Sequence, residues 1–208
     1  MDKIYVELGD RSYPIYIEAD FSGLGSALKE AGLCGRVMVV TDSNVGRLYL
    51  ETCMNELSSA GAQVCSHVFE AGEKSKNLDT VQDIYRQLTA QRFDRGSVIA
   101  ALGGGVTGDL AGFAAATYMR GISYVQIPTS LLAQADSSIG GKTGVDFEGV
   151  KNIVGAYYQP RFVYININTL RTLPLRELRS GLAEVIKHGL IRDAGFFDYI
   201  RMNMHKIF

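Results

Sequence analysis

The sequence predicts an α/β protein: a mostly parallel sheet with flanking helices, followed by the start of an all-α domain that is cut short. Three observations carry that expectation. Apolar strand-like runs alternate with helix-patterned segments from Val37 to Ile127, as successive βαβ units do. Val37-Met38-Val39-Val40 and Val98-Ile99-Ala100-Ala101-Leu102 are continuously apolar rather than alternating, the pattern of strands buried on both faces. Between the second run and the small-residue segment Leu110–Ala116 lies Gly103-Gly104-Gly105-Val106-Thr107-Gly108-Asp109, a strand–turn–helix junction.

Taken in order, Ile4–Leu8 and Tyr13–Ile17 flank Gly9-Asp10-Arg11-Ser12 and read as a hairpin. Leu24–Ala31 has helical spacing and stops at Gly32. The Val37–Thr41 strand leads into a helix over Val45–Ala60, a strand over Ala62–Phe69 and a polar turn over Glu70–Lys76. Asn77 is placed to cap a helix running to about Arg92. After the glycine turn come a helix over Leu110–Met119 and a strand over Tyr124–Ile127. Pro128–Gly144 combines a helix with a second glycine turn that carries Lys142, and Phe162–Ile167 is a late strand. Residues 1–174 form the sheet domain on this reading. Residues 175–208 begin the helical one, with Glu177–Leu190 and Phe196–Phe208 as amphipathic helices.

Composition narrows the function classes. The 208 residues carry 21 basic and 22 acidic side chains, a formal net charge of −1. That balance lacks the basic footprint of a nucleic-acid binder. No apolar run reaches a membrane span, and the first residues show no signal-peptide core. The three cysteines, Cys34, Cys53 and Cys65, have no CxxC pairing and suit a reducing compartment. The expectation is a cytoplasmic protein with no nucleic-acid or membrane partner.

The glycine turn is the first candidate site. Residues without Cβ let backbone N–H groups converge, and a helix N-terminus adds unpaired donors and a positive dipole end. Asp109 sits near that terminus as a cap or as an acceptor for a ligand hydroxyl. Ligands of such sheets lie beyond the carboxyl ends of the strands, and polar residues collect there: Asp42 and Asn44, Glu73 and Lys76, Asp109, then Thr129 and Ser130. Gly140-Gly141-Lys142-Thr143 looks superficially like the end of a nucleotide-binding P-loop. It lacks the upstream glycine and the preceding strand that such a loop requires. Lys142, Lys151 and Asn152 instead suit a phosphate or carboxylate. Glu184 stands one turn from Lys187 and from His188, a spacing open to a surface ion pair or to a carboxylate metal ligand beside a catalytic amine or imidazole.

Gly103–Asp109, Tyr118-Met119-Arg120-Gly121, Pro128-Thr129-Ser130, Gln134–Gly144, Lys151-Asn152, Gln159-Pro160 and Ala183-Glu184-Val185-Ile186-Lys187 together resemble the 3-dehydroquinate synthase family of sugar-phosphate cyclases. The resemblance spans essentially the whole chain. It implies a Rossmann-like NAD domain joined to a helical domain, with the active site between them. It further implies conversion of the keto-acid phosphate DAHP to 3-dehydroquinate in the shikimate pathway, with recycled NAD, a divalent metal (zinc or cobalt) and phosphate elimination. Carried over to this chain, Asp42 and Asn44 are adenosine-side contacts, and Gly72, Glu73 and Lys76 belong to the ribose side. Gly104, Gly105, Val106, Thr107, Gly108 and Asp109 form the pyrophosphate and nicotinamide-side loop. Thr129, Ser130, Lys142, Lys151, Thr169, Leu170 and Thr172 complete the cofactor site. Asp136, Lys142, Lys151 and Asn152 are substrate positions, Lys187 is an active-site lysine and Glu184 a metal ligand. Arg120 reaches a neighbouring subunit's substrate phosphate, so a homodimer is expected.

The family's two histidine metal ligands have no counterpart in His67, His188 or His205. The 208 residues alone are therefore expected to bind NAD weakly at most, to bind zinc poorly and to lack synthase activity. Three rival readings remain at this stage: a glycerol-dehydrogenase-like polyol oxidoreductase, a sister cyclase with another sugar phosphate, and a non-enzymatic dinucleotide-binding module.

Overall fold

A computed structural model describes residues 2–207; Met1 and Phe208, with the helix expectation at Phe208, lie outside the described residues. The sheet contains β1 (Asp2–Val6), β2 (Tyr13–Glu18), β3 (Arg36–Asp42), β4 (Gln63–Phe69), β5 (Val98–Gly103), β6 (Ser123–Pro128) and β9 (Val163–Asn166), in the order β1-β2-β9-β6-β5-β3-β4. Only β1 runs antiparallel within it, paired with β2 as the first hairpin. The helices are α1 (Leu24–Glu30), α2 (Ser43–Ser59), α3 (Leu78–Ala90), α4 (Gly105–Thr117), α5 (Leu175–Arg192) and α6 (Ala194–Ile207).

Alternation along the central strands divides the core in two. Val37, Val39, Val98, Ala100 and Leu102 pack with α1 and α2 on one face. Met38, Val40, Ile99 and Ala101 pack with α3 and α4 on the other. All nine are at most 1% exposed, so the apolar runs are strands covered on both sides. The chain passes from β3 outward to β4, then back across β3 to β5 and on to β6. The direction of winding thus reverses between β3 and β5, and a crevice opens at their carboxyl ends. The glycine turn leaves β5 at that point.

Two local expectations need correction. Helix α4 starts at Gly105 rather than Leu110, because Gly105–Asp109 already adopt the helix. Asp109 therefore lies one turn inside α4 and caps nothing. The stretch Pro128–Gly144 is also different. Its helix is a short π-turn over Ala133–Ser137, and Lys142 opens a strand. That strand, β7 (Lys142–Phe147), pairs antiparallel with β8 (Val150–Tyr157) as a separate two-stranded sheet. The reversal at Glu148-Gly149 uses positive φ at both residues, 49° and 77°, which is the twist a two-residue hairpin requires.

Candidate functional site

The strand ends converge as the sequence rim implied, but several of their side chains are already engaged by the protein. Asp42 caps α2, its Oδ1 accepting from the Asn44 and Val45 amides at 2.8 and 3.0 Å. Such a cap stabilises a helix by about 1 kcal/mol. Asn44 is exposed beside it. The 70s loop docks on the same helix start, where the Ala71 amide donates to Ser43 Oγ at 3.1 Å. Gly72 turns there with a φ of 122°.

At the glycine turn, Gly104 precedes α4 and no side chain caps the first turn of that helix. A Cβ built at Gly104 would lie 3.3 Å from Ser130 Oγ, and one at Gly105 would lie 3.1 Å from Ser137 Oγ. The floor of the crevice is thus bare backbone against two hydroxyls. Thr107 and Gly108 are buried behind it, while Val106 is half-buried. The Thr129 amide donates to the Gly103 carbonyl at 3.0 Å, tying the end of β6 to the turn. This cradle fits a dinucleotide's phosphates.

Gln134 organises the neighbouring wall. Its Nε2 lies 3.2 Å from the Pro128 and Asn166 carbonyls and 3.0 Å from Thr169 Oγ1. Thr169 is buried and its hydroxyl donates to the Asn166 carbonyl at 2.8 Å. Thr172 bonds Tyr49 of α2. Leu170 is half-buried between these two threonines. The 167–172 turn thereby closes one side of the crevice. Sequence reasoning singled out Gln134 only as the start of the Gln134–Gly144 motif and missed its contacts; Tyr49 sits in no pattern that announces its own.

A cleft of about 410 Å³ adjoins the crevice, lined among others by Asp109, Asp136, Ser137, Lys142, Asn152 and Tyr157. Four residues expected at the substrate or cofactor are therefore brought together across α4, the π-turn and the hairpin. Lys76 underlies them. Its Nζ lies 2.5 Å from Asp109 Oδ2 and 2.5 Å from Asn152 Oδ1. Burial pushes the Asp109 carboxyl above its ordinary value, with Lys76 pulling it back down. Glu73 and Lys151 pair with each other at 2.8 Å on the exposed rim, which raises the Lys151 pKa.

Helix α5 packs beside the cleft, against the residues that lead into the π-turn. A Cβ at Gly181 would fall 2.5 Å from the Leu132 amide nitrogen, so only glycine lets α5 approach the π-turn this closely. Glu184 is thereby set beside Asp136, and with His188 they form a group whose ligand atoms lie within 4.8 Å of one another. Lys187 ion-pairs with Glu184, which raises the Lys187 pKa. Two carboxylates and an imidazole are a donor set that suits zinc or cobalt. The spacing on α5 pointed to Glu184 and His188, but nothing in the sequence joined them to Asp136. Arg120 stands apart. It is exposed on the turn before β6, at the amino ends of the strands, with a φ of 68°. It therefore lies outside this chain's own cleft.

The 3-dehydroquinate synthase N-terminal family pattern matches residues 66–180, more than half of the chain. The chain belongs to the 3-dehydroquinate synthase family. A 3-dehydroquinate synthase from Acetivibrio thermocellus is 58% identical over 207 residues, covering 100% of this chain and 58% of that protein. One from Ruminiclostridium cellulolyticum is 56% identical, covering 98% and 56% respectively. The chain thus spans under two thirds of the length of these synthases. A 2-epi-5-epi-valiolone synthase from Streptomyces hygroscopicus subsp. jinggangensis, solved with NAD+ and Zn2+, superimposes with a TM-score of 0.86 at 34% identity. It covers 97% of this chain and 56% of that one. A 2-deoxy-scyllo-inosose synthase bound to carbaglucose-6-phosphate, NAD+ and Co2+ gives 0.84 at 30% identity, over 91% and 52%. These neighbours share the Rossmann-like mostly parallel sheet. A glycerol dehydrogenase from Schizosaccharomyces pombe, at 18% identity and TM-score 0.64 over 85% and 42%, shares the fold alone. Among the described residues no helix is long and apolar enough to cross a membrane.

Proposed function

We propose that this chain supplies the cofactor-binding part, and one wall of the active site, of a 3-dehydroquinate synthase. The substrate on this reading is DAHP, a sugar-acid phosphate, and the products are 3-dehydroquinate and inorganic phosphate. The enzyme is a carbon–oxygen lyase acting in the cytoplasm. The observation that carries the proposal is the adjoining of two unlike sites: the uncapped glycine crevice and the cleft lined by Asp109, Asp136, Lys142 and Asn152. A dehydrogenase also needs a substrate cleft beside its cofactor, but one without a lysine and an amide aimed at an anionic substrate. A substrate bearing phosphate, carboxylate and several hydroxyls needs both.

The residues divide the work by their chemistry. The crevice backbone from Gly104 to Gly108, with Thr129 and Ser130, holds the dinucleotide phosphates. Asp42, Asn44, Gly72, Glu73, Lys76 and the Thr169–Thr172 turn hold its flanks. When bound, NAD supplies a reversible hydride acceptor and the metal a Lewis acid for substrate hydroxyls. Glu184 is the metal ligand in this assignment, with Asp136 and His188 within reach of the same ion. Lys142 offsets substrate negative charge at the mouth of the cleft, and Asn152 and Asp136 hydrogen-bond substrate hydroxyls. Lys187 lies where an amine can hold or move a proton at a substrate oxygen once Glu184 turns to the metal. Residues 175–208 begin a helical domain that bears the rest of the metal and substrate contacts. Arg120, facing away from its own cleft, serves the phosphate site of a second copy in a homodimer.

The test is a two-part titration. The 208-residue chain should bind NAD+ in a calorimeter, weakly, and should release no phosphate from DAHP. Phosphate release should appear when the remaining region of the Acetivibrio thermocellus synthase is added. Turnover by the 208 residues alone would overturn the division of labour. No heat with NAD+ would overturn the cofactor assignment.

A further inference from the structure

The hairpin β7–β8 packs on α4 through the buried Val145, with Val154 and Ala156 against the same core, and its outer end is tied down by polar contacts that meet at one side chain. The Asp146 amide donates to the Lys76 carbonyl at 2.9 Å. The Asn152 amide donates to Asp146 Oδ1 at 2.8 Å. The Lys76 ammonium spans 2.5 Å to Asn152 Oδ1 and 2.5 Å to Asp109 Oδ2. Lys76 is only 6% exposed, whereas the parallel Glu73–Lys151 pair has side chains 47% and 72% exposed. The buried contact is the one that counts, since exposed pairs contribute little and a charge-assisted bond removed from water is stronger. Asn152 has a φ of 55°, a left-handed conformation that asparagine adopts more readily than other non-glycine residues.

We propose that Lys76 is a positioning residue that clamps the hairpin over the cleft and couples occupation of the dinucleotide side to order on the substrate side. Its ammonium touches Asp109, which stands on the helix that opens the crevice. It also touches Asn152, which lines the cleft together with Asp109. A ligand that settles in the crevice and fixes Asp109 therefore also fixes Asn152 through the shared lysine. By reciprocity, a ligand that orders the hairpin tightens the dinucleotide site. The coupling rests on the cofactor reading above; the clamp does not.

Hydrogen exchange on the 208-residue chain separates the two. In the free protein, Lys76→Met should speed exchange of the Val150–Tyr157 amides at least tenfold and leave those of Val98–Gly103 unchanged. Lys76→Arg, which keeps a cation on Asp109, should recover protection to within threefold. If Lys76→Met fails to fold because Asp109 is left buried and unpaired, the double variant Lys76→Met/Asp109→Asn removes both charges and gives the same reading. At NAD+ concentrations that calorimetry shows to saturate each protein, NAD+ should slow hairpin exchange in the wild type and not in Lys76→Met. Wild-type exchange rates in both methionine variants would overturn the clamp. Faster hairpin exchange in those variants, with no NAD+ effect on the wild type, would overturn the coupling and uphold the clamp.

Discussion

Strands β5 and β8 are both rich in small and apolar residues, yet they are held by opposite means. Every residue of β5 is buried, in register with β3 on one side and β6 on the other. Strand β8 has one partner, and Val150, Ile153 and Tyr157 are 52%, 61% and 83% exposed. Strand β5 stays in place because moving it would open two cores. Strand β8 rests on one core alone, through Val154 and Ala156, and a few buried polar atoms fix its outer end. The cleft is lined by residues of both hairpin strands and by Asp109 of α4, the helix that leaves β5, so one of its walls is anchored to the rigid core and the other depends on the hairpin.

That contrast can be broken most sharply from the β5 side. Ile99→Ala should destabilise the protein by about 2–5 kcal/mol, seen as a lower urea midpoint. A loss under about 1 kcal/mol would mean that the sheet core is not the rigid wall. Gly181→Val should cost about 1–3 kcal/mol through overpacking against Leu132. It should also weaken Co2+ binding, read from the cobalt absorption spectrum, because α5 can no longer bring Glu184 to Asp136. Asp42→Ala should lose about 1 kcal/mol, the value of an N-cap, in the same unfolding assay. Ile153→Ala on β8 should change stability by less than about 0.5 kcal/mol. A larger loss would show that the outer face of β8 is packed as well.

The smallest expected effect concerns pH. Burial lowers the His67 pKa, with Asp83 opposing. The folded protein therefore holds this proton less readily than the unfolded chain. Stability is complete above the ordinary histidine value of about 6.5 and declines as pH falls below it. His67→Gln should make the loss of stability between pH 7 and pH 5 smaller, with the sign set by the lowered pKa. An unchanged slope would place the sensitivity elsewhere.

What was legible in the sequence follows the same divide. Continuous apolar runs, the Asn77 cap (its side chain accepting from the Thr80 amide at 3.0 Å) and the glycine turn are local signals, and each marks a part of the rigid wall. The hairpin was missed because only Val145 of its large apolar side chains is fully buried and its turn, Glu148-Gly149, is not the commonest hairpin pair. The apolar residues Val150, Ile153 and Tyr157 are spaced three and four apart, which is not the alternation of a strand. The Lys76–Asp109–Asn152 junction and the Asp136–Glu184–His188 group join residues far apart in the chain. No periodicity encodes such meetings; they follow from sheet order and from one glycine on α5. Arg120 was legible as a motif, while its place at the far end of the sheet came only with the topology.

Gln134 sets a condition of another kind. Its amide carries two hydrogens and faces three acceptors from two strand ends and a turn. Glutamate at that position would set a negative oxygen against two carbonyls, and asparagine would stop a methylene short of them. In a saturation library of the 129–137 segment, position 134 should therefore tolerate the fewest substitutions, although its side chain lines no cleft.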